Sequence, residues 1–252
     1  MSELELKMER WRYPRFFTDN ITDMSAVVSG EDSKHIAVVL RMRVGEYAVL
    51  CDGQGMDYLC RLETADKDCC TFEVLEKTKN AAEPDVHLRL FQAMPKGDKM
   101  EFIVQKAVEC GASEIIPFFS KRCVSRPDGK QLVKKTERYQ RIAMEAAKQC
   151  GRGVIPVVHS AVEFSALYDM IPKENTGILF YECATAPLSE AVPHFSRNID
   201  IVIGSEGGFE QSEAEKLVAH GLVSVSLGKR ILRCETAPIA AISILMNVTG
   251  NM

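Results

Sequence analysis

From residue 86 onward, apolar strands and amphipathic helices alternate along the chain. The run from His87 to Ala93 has the apolar pattern of a strand, and apolar residues from Met100 to Val108 then recur at the spacing of one helix face before Gly111. The alternation continues with predicted strands at 115–119, 177–181, 200–203 and 222–226 and predicted helices at 139–150, 187–195, 211–220 and 236–248. This order is typical of an α/β domain with a largely parallel sheet.

The first 80 residues follow a different pattern. Short runs of alternating apolar and polar residues occur at 48–51, 58–62 and 70–75, and turn residues at 52–53 and 66–68 separate them. This spacing predicts a small β-barrel over residues 1–80. Residues 77–85 are polar and contain Pro84, so they are predicted to be a linker, and the α/β domain is predicted to cover residues 86–252.

Composition excludes several classes of protein. The chain has 252 residues, of which 46% are hydrophobic, enough for a sizeable core, and its net charge of −4 gives no overall signal for nucleic acid. The nine cysteines form no CxxC pair and the five histidines are scattered, so no zinc site is predicted and the thiols are expected to be reduced. Because no apolar signal segment or run of about 18 apolar residues occurs, a cytoplasmic protein without metal or membrane contact is expected.

A glycine-rich segment follows the strand predicted at 200–203. Gly204, Gly207 and Gly208 surround Glu206, and glycines let a main chain approach a ligand at the strand end, where open α/β sheets bind ligands. A tight turn between strand and helix is an alternative explanation of the two adjacent glycines. The segment matches neither GxGxxG nor a phosphate-binding loop, which excludes the dinucleotide and nucleoside-triphosphate motifs. The acidic Glu206 favours a neutral or cationic ligand.

A second unusual segment lies just before the last predicted helix. Thr236 is predicted to be the N-cap of that helix, with Pro238 in its first turn. Helix capping does not explain Gly228 or the two arginines, Arg230 and Arg233, in an otherwise apolar loop. The segment is therefore a second candidate for a ligand-binding loop.

These two segments resemble the paired motifs of one enzyme family. Residues 203–208 (IGSEGG) are similar to IGPEGG, and residues 227–237 (LGKRILRCETA) to LGxRILRxETA, of the SPOUT-class RNA methyltransferases. Within this class the chain resembles the bacterial family that methylates N3 of a uridine in the 16S ribosomal RNA of the small subunit. Segments 15–17, 35–46, 95–111 and 145–152 extend the resemblance over nearly the whole chain. Ser205 stands where the family usually has proline.

The resemblance implies a fold, a cofactor and an oligomeric state. It implies a PUA-like β-barrel, a SPOUT-type α/β domain with a C-terminal trefoil knot, and a homodimer. It also implies S-adenosylmethionine as the cofactor, bound inside the knot. The expected cofactor-binding residues are Tyr181, Glu182, Gly204, Glu206, Gly207, Gly208, Leu227, Gly228, Ile231, Leu232, Thr236 and Ala237.

The implied chemistry defines the candidate catalytic residues. N3 of uridine is an imide nitrogen that carries a proton at neutral pH, so transfer requires loss of this proton and stabilisation of the charge that develops on O2 and O4. Guanidinium groups suit such an anion, which makes Arg233 and Arg152 candidates. No histidine lies in the motif loops, so Glu235 is the candidate proton acceptor, although a carboxylate at a helix start also has a structural explanation.

Basic residues are concentrated between residues 119 and 152. This segment has ten Lys and Arg against three acidic residues, which indicates a track for ribosomal RNA, although a solvated helix face has a similar composition. The candidate RNA-binding residues are Arg12, Arg15, Arg41, Lys121, Arg122 and Arg126. Tyr13, Phe16 and Phe17 are candidates either for stacking on bases or for the barrel core.

Two other functions are compatible with this resemblance. The first is methylation of a ribose 2′-hydroxyl on the same knotted fold, and the ETA sequence at 235–237 argues against it. The second is a non-catalytic RNA-binding factor in ribosome assembly. The glycine loops, Arg233 and Glu235 argue against that role, because a protein without catalysis has no need to retain them.

Overall fold

The computed structural model describes residues 13–188 and 195–252. The chain divides into two compact units. The first consists of the described part of Met1–Glu83 together with Ala147–Ile155, and the second of Pro84–Ala146 and Pro156–Met252. Arg12 and most of the helix predicted at 187–195 lie outside the described residues.

A five-stranded sheet forms the first unit. Its strands are β1 (Arg15–Phe17), β2 (Ser25–Ser29), β3 (Tyr47–Cys51), β4 (Met56–Ala65) and β5 (Cys69–Lys79), in the order β1-β3-β4-β5-β2. Strand β1 is parallel to β3, and the other pairs are antiparallel. Helix α1 (Glu31–Lys34) continues into a π-helical turn, His35–Val39. Apolar side chains such as Phe16, Leu50 and Phe72 form the core of this unit, so the predicted β-rich character is confirmed.

The predicted linker begins too early in the sequence. Strand β5 runs to Lys79, so the residues from Lys77 onward that were expected to be linker are still paired with β4, with Met56 opposite Lys79. In this long antiparallel pair the main-chain N–H and C=O groups bond to each other, so the pairing does not require apolar side chains. The polar side chains project from an exposed strand end. Polar composition alone was therefore a misleading signal here.

The second unit contains a seven-stranded parallel sheet. Its strands are β6 (His87–Ala93), β7 (Glu114–Phe119), β8 (Val157–Val158), β9 (Val162–Glu163), β10 (Thr176–Phe180), β11 (Asn198–Ile203) and β12 (Val223–Val225). The order is β12-β10-β11-β6-β7-β8, and β9 also pairs with β7. Every pairing is parallel. The α/β class and the largely parallel sheet predicted from the sequence are confirmed.

Helices lie between these strands along the chain, and a last one follows β12. They are α2 (Lys99–Glu109), α3 (Gly129–Cys150), α4 (Leu167–Met170), α5 (Gln211–His220) and α6 (Thr236–Val248), with a 3-10 turn at Phe164–Ala166. Helix α2 buries the predicted apolar face. In α6 the N-cap position belongs to Glu235, so Thr236 is the first helical residue and not the predicted cap. No helix in the described residues is long and apolar enough to cross a membrane.

The strand order determines where loops meet. Strands β12, β10 and β11 are neighbours, and the carboxyl ends of parallel strands lie at one edge of a sheet, where α/β proteins bind their ligands. Beneath this edge, Phe91, Phe118 and Phe209 are buried in one apolar cluster, and the rings of Phe118 and Phe209 stack with centroids 6.3 Å apart. The loops after β10 and β11 thus pack on this core through Tyr181 and Phe209.

Candidate functional site

A cavity of about 470 Å³ lies at the carboxyl ends of β10, β11 and β12. Three loops line it, one from each strand, and together they contain most of the residues selected from the sequence. The predicted residues in its lining are Tyr181, Glu182, Gly204, Glu206, Gly208, Leu227, Gly228, Ile231, Leu232, Arg233 and Ala237. The structure therefore brings the two glycine-containing motifs into one site.

Glycine has a different role at each position of these loops. Gly228 has φ of 107°, and a Cβ built there would meet no atom of the described residues within 4 Å, so the space beside it is open with respect to them. Gly208 has φ of 63°, and its Cβ would lie 2.2 Å from the Glu182 carboxylate. Gly207 is not in the lining of the cavity, and a Cβ built on it would lie 3.0 Å from Arg122 Cβ. Because Gly207 has no side chain, Arg122 can pack against it. Because Gly228 has no side chain, the space beside it at the cavity lining stays open.

The loop between β12 and α6 has main-chain groups available for a ligand. Among the described residues, the main-chain groups of Leu227, Ile231 and Leu232 form no hydrogen bond. The side chain of Ile231 is 88% exposed although it is apolar. Unpaired peptide groups beside exposed apolar surface suit a flat, partly apolar ligand that carries hydrogen-bonding edges.

Arg233 has a guanidinium group available for a substrate. Its main-chain carbonyl accepts hydrogen bonds from Thr236 and Ala237 at the start of α6, which fixes its backbone. Its side chain is exposed at the cavity and has no hydrogen-bond or ion-pair partner in the described part of the chain. An anchored backbone with an unpaired guanidinium is the arrangement expected of a residue that binds an anionic oxygen.

A lysine that the sequence reasoning missed lies at the same cavity. Lys99 Nζ lies 3.0 Å from Glu206 Oε1 and 3.2 Å from Glu235 Oε2, and it donates a hydrogen bond of 3.7 Å to Cys234 Sγ. Lys99 lies in the segment 95–111 that supported the family resemblance. No signal in the sequence linked it to two carboxylates more than 100 residues away.

The surroundings of Glu235 keep it ionised. Burial alone would raise its pKa, but hydrogen bonds from the Cys234 thiol, from its own N–H and from Lys99 outweigh burial, so the pKa of Glu235 is lowered. Burial raises the pKa of the Cys234 thiol to about 12, which keeps the thiol protonated as a donor. A lowered pKa makes Glu235 a weak base at neutral pH.

The segment 120–126 contacts the glycine loop of β11. The Lys121 N–H donates to Glu213 at 2.9 Å, and its ammonium lies 2.9 Å from Glu210. The Arg122 guanidinium donates to the Gly207 carbonyl at 3.0 Å. Arg126 lies over the Phe119 ring at 5.2 Å and pairs with Glu163. These three cations are on the surface, and each has a partner within the second unit.

Comparison with known proteins establishes the family. The model of the RNA methyltransferase domain matches residues 82–246, and that of the RNA methyltransferase PUA domain matches residues 28–75. The ribosomal RNA small subunit methyltransferase E of Bacillus subtilis is 35% identical over 226 residues, which cover 86% of this chain and 88% of that protein. The chain belongs to this RNA methyltransferase family.

Solved structures of this family have the same fold. A ribosomal RNA small subunit methyltransferase E from Neisseria gonorrhoeae, bound to S-adenosylmethionine, is 33% identical, with a TM-score of 0.85 over 94% of this chain and 98% of that chain. A methyltransferase from Legionella pneumophila, also in complex with S-adenosylmethionine, is 28% identical, with a TM-score of 0.84 over the same shares. The similarity thus includes both units of this family member.

Two arginines predicted for function have structural roles in the first unit. Arg15, a predicted RNA contact, donates to both carboxylate oxygens of Asp57 at 2.7 and 3.0 Å, and its side chain is only 12% exposed. Arg152, a predicted catalytic residue, is 4% exposed and pairs with Glu83 at 2.9 Å. Both predictions are corrected, because a buried guanidinium with a carboxylate partner is not available to RNA or substrate. Arg41 is exposed and remains a candidate for RNA binding.

The aromatic residues near Arg15 divide between the two predicted roles. Phe16 is 4% exposed and belongs to the core of the first unit, so the core alternative is correct for it. Phe17 and Tyr13 are half-buried, and the ring centroids of Tyr13 and Tyr47 lie 5.7 Å apart. The possibility of base stacking is therefore limited to these two residues.

The structural role of Arg152 is testable. Replacing Arg152 with Met should lower the free energy of unfolding by about 3 kcal/mol, because the Glu83 carboxylate would lose its cation and keep only the N–H groups of Gly153 and Val154 as donors. Urea denaturation measures this loss. The double change Arg152→Met with Glu83→Gln should recover part of it, since no unpaired charge remains and the amide oxygen can still accept from the N–H groups of Gly153 and Val154. Unchanged stability combined with lost methyl transfer would restore the catalytic hypothesis for Arg152.

Proposed function

We propose that this chain is an S-adenosylmethionine-dependent methyltransferase that acts on N3 of a uridine in the 16S ribosomal RNA of the small subunit. The observation that carries the proposal is the cavity that both family motifs line, with the guanidinium of Arg233, which has no partner in the described ranges, at its lining. The names of the relatives and the cofactor bound to two of them support the same activity. Because the substrate is ribosomal RNA, we also propose a cytoplasmic location.

The residues of the cavity fit this cofactor. A side chain at position 228 would enter the open space beside Gly228. The peptide groups of Leu227, Ile231 and Leu232, which have no partner in the part of the chain that the structure describes, suit the hydrogen-bonding edge of an adenine. The Ser205 hydroxyl is a buried polar atom without a partner among the described residues. When bound, the cofactor supplies an electrophilic methyl group on a positively charged sulfur. We propose that the predicted cofactor residues in the cavity lining hold it there, and that Gly207 and Thr236 act indirectly through Arg122 and the start of α6.

Arg233 is the proposed catalytic residue. Loss of the N3 proton leaves an anion whose charge is shared between O2 and O4 of the uracil, and a guanidinium can donate to these oxygens as the charge develops. The lowered pKa of Glu235 argues against its predicted role as proton acceptor. We propose that Glu235 acts as a fixed negative charge, and that the N3 proton leaves to water with Arg233 favouring the ionised imide.

We further propose the domain assignment and assembly of the family. Residues 1–80 would form the PUA-like RNA-binding domain, and residues 86–252 the SPOUT domain with its trefoil knot.

Helix α6 packs against the end of α2, with the Ser243 hydroxyl 3.7 Å from Cys110 Sγ. Phe102, Ile244 and Val248 on these helices are 46%, 41% and 54% exposed, which supports a homodimer that buries them. The mass of the protein in solution, measured by sedimentation, tests the dimer.

A methyl-transfer assay tests the activity. The protein is incubated with S-adenosylmethionine carrying a labelled methyl group and with 16S rRNA, either free or in small subunits, and the nucleosides are separated. Label in 3-methyluridine supports the proposal. Label on ribose would favour the 2′-hydroxyl reaction, and RNA binding without label would favour the assembly factor.

The surface cations should contribute to RNA affinity. Changing Lys121, Arg122 and Arg126 together to glutamine should reduce the slope of RNA affinity against salt by at most about three units, and by less if their present partners already neutralise them. Filter binding at several salt concentrations measures the slope. The control removes three exposed cations elsewhere, Lys173, Arg197 and Lys216, and should change the slope less. Equal slopes in the two triple variants would mean that segment 120–126 is an ordinary solvated surface.

A further inference from the structure

Lys99 connects two loops that are distant in sequence. It begins α2, and its ammonium contacts Glu206 in the loop after β11 and Glu235 at the end of the loop after β12. Both carboxylates therefore depend on the same nitrogen atom. Lys99 itself also lines the cavity, so the connection lies at the site and not behind it.

The position of Lys99 in its helix is electrostatically unfavourable. The first turn of a helix carries a partial positive charge and favours acidic residues, so a lysine there is disfavoured unless anions compensate. Glu206 and Glu235 supply this compensation, and Glu235 in turn lies at the N-cap of α6, where a carboxylate is favoured. The contacts of Lys99 with Glu206 and Glu235, and not its position in α2, therefore explain why a lysine is stable at this helix start.

A second contact makes this arrangement more rigid. The main-chain N–H of Lys96 donates to both oxygens of Glu206, at 3.2 and 3.4 Å. Glu206 is therefore held by two groups from the segment that leads into α2, and Glu235 by the thiol of Cys234 and by Lys99. Among the side chains of residues 13–188 and 195–252, only Lys99 contacts both carboxylates.

We propose that Lys99 is a positioning residue that ties the glycine loop 203–208 to the loop 227–235 and so determines both the closure of the cavity around S-adenosylmethionine and the placement of Arg233. This inference rests on the proposed function. Arg233 is two residues from Glu235, so a loop released at Glu235 would also release the backbone of Arg233. Lys99 acts through these residues and needs no contact with the reacting atoms.

Removing the lysine charge should change how binding depends on pH. In the wild type the pKa of Lys99 is raised, and the pKa values of Glu206 and Glu235 are lowered, with the Lys99 ammonium contributing to each shift. Without Lys99, two carboxylates that shared one cation would repel each other, and the pKa of one of them would rise. The other charged residues in the lining are Glu182, Lys229, Arg230 and Arg233, and they are the same in both proteins. As the pH falls, protonation should relieve the repulsion only in the variant.

The experiment compares Lys99→Met with Lys99→Arg in the full-length protein. Calorimetric titration with S-adenosylmethionine should give a dissociation constant about ten-fold weaker for Lys99→Met at pH 8, with a smaller difference from wild type at pH 6. Lys99→Arg should restore affinity to within about three-fold, because it keeps the charge. In the transfer assay the KM for the cofactor should rise more than kcat falls at saturating cofactor.

Lys106→Met is the matched control. Lys106 is on the same helix, has a similar exposure of 32% against 36%, and pairs with Glu109 outside the cavity. If Lys99→Met gives no cooperative melt, Lys99→Gln replaces it. The inference is overturned if the uncharged variant binds within two-fold of wild type, if Lys106→Met loses as much affinity, or if the loss is independent of pH and not restored by arginine. A wild-type protein that does not bind the cofactor would overturn the proposed function instead.

Discussion

Arg233→Ala should bind S-adenosylmethionine with nearly wild-type affinity and lose methyl transfer by about two to three orders of magnitude, the usual effect of removing one donor to a developing oxyanion. The reason is the combination seen at the cavity: the backbone of Arg233 is anchored at the start of α6, while its guanidinium has no partner among the described residues. The substitution therefore removes the guanidinium that we propose to bind the substrate and breaks no hydrogen bond or ion pair within the described part of the chain. Single-turnover rates, together with calorimetry of the cofactor, separate these two effects.

The rate of Arg233→Ala should also keep rising to a higher pH. Without the guanidinium the ionised imide is less favoured, so a larger share of the uridine stays protonated at neutral pH, and the rate should rise with pH over a wider range than in wild type. Arg197→Ala is the control, because Arg197 is exposed and lies before the amino end of β11, at the opposite edge of the sheet. A rate for Arg233→Ala within a few-fold of wild type would mean that a residue other than Arg233 stabilises the anion.

Gly228→Val should abolish detectable cofactor binding and leave a cooperative thermal melt. Gly228 lines the cavity, and its missing side chain leaves open space that a β-branched residue would occupy. Its φ of 107° is also unfavourable for valine, so some loss of stability, about 1 to 3 kcal/mol, is expected. Calorimetric titration with S-adenosylmethionine measures the affinity, and thermal unfolding measures the stability.

A matched glycine separates backbone strain from loss of the cavity. Gly221 ends α5 with φ of 123° and also has no atom within 4 Å of a Cβ, but it does not line the cavity. Gly221→Val should therefore lose similar stability and keep cofactor affinity. Wild-type affinity in Gly228→Val, or equal loss in both variants, would contradict the assignment of this loop. Gly207→Val is less informative, because its side chain would press on Arg122.

The amino-acid sequence by itself determined most of the strands and helices of the α/β unit, but it placed the start of α3 ten residues too late, at 139, and missed β8, β9 and α4. Helices α5 and α6 and strand β6 have the bounds that the apolar periodicity predicted. This periodicity is local, because a buried helix face or strand requires apolar residues at fixed spacings wherever its partners lie. The two motifs were also recognisable in sequence, since each is a continuous segment of the chain, and the structure places both at one cavity.

Only the tertiary structure decided what each charged residue contacts. Arg15 and Arg152 were candidates for function from their residue type, but partners 42 and 69 positions away bury them as ion pairs. Lys99 showed no functional signal until the fold placed it between Glu206 and Glu235. The physical reason is that the charge of a side chain is a property of the residue, whereas its solvation and its partners are set by chain segments that meet only after folding.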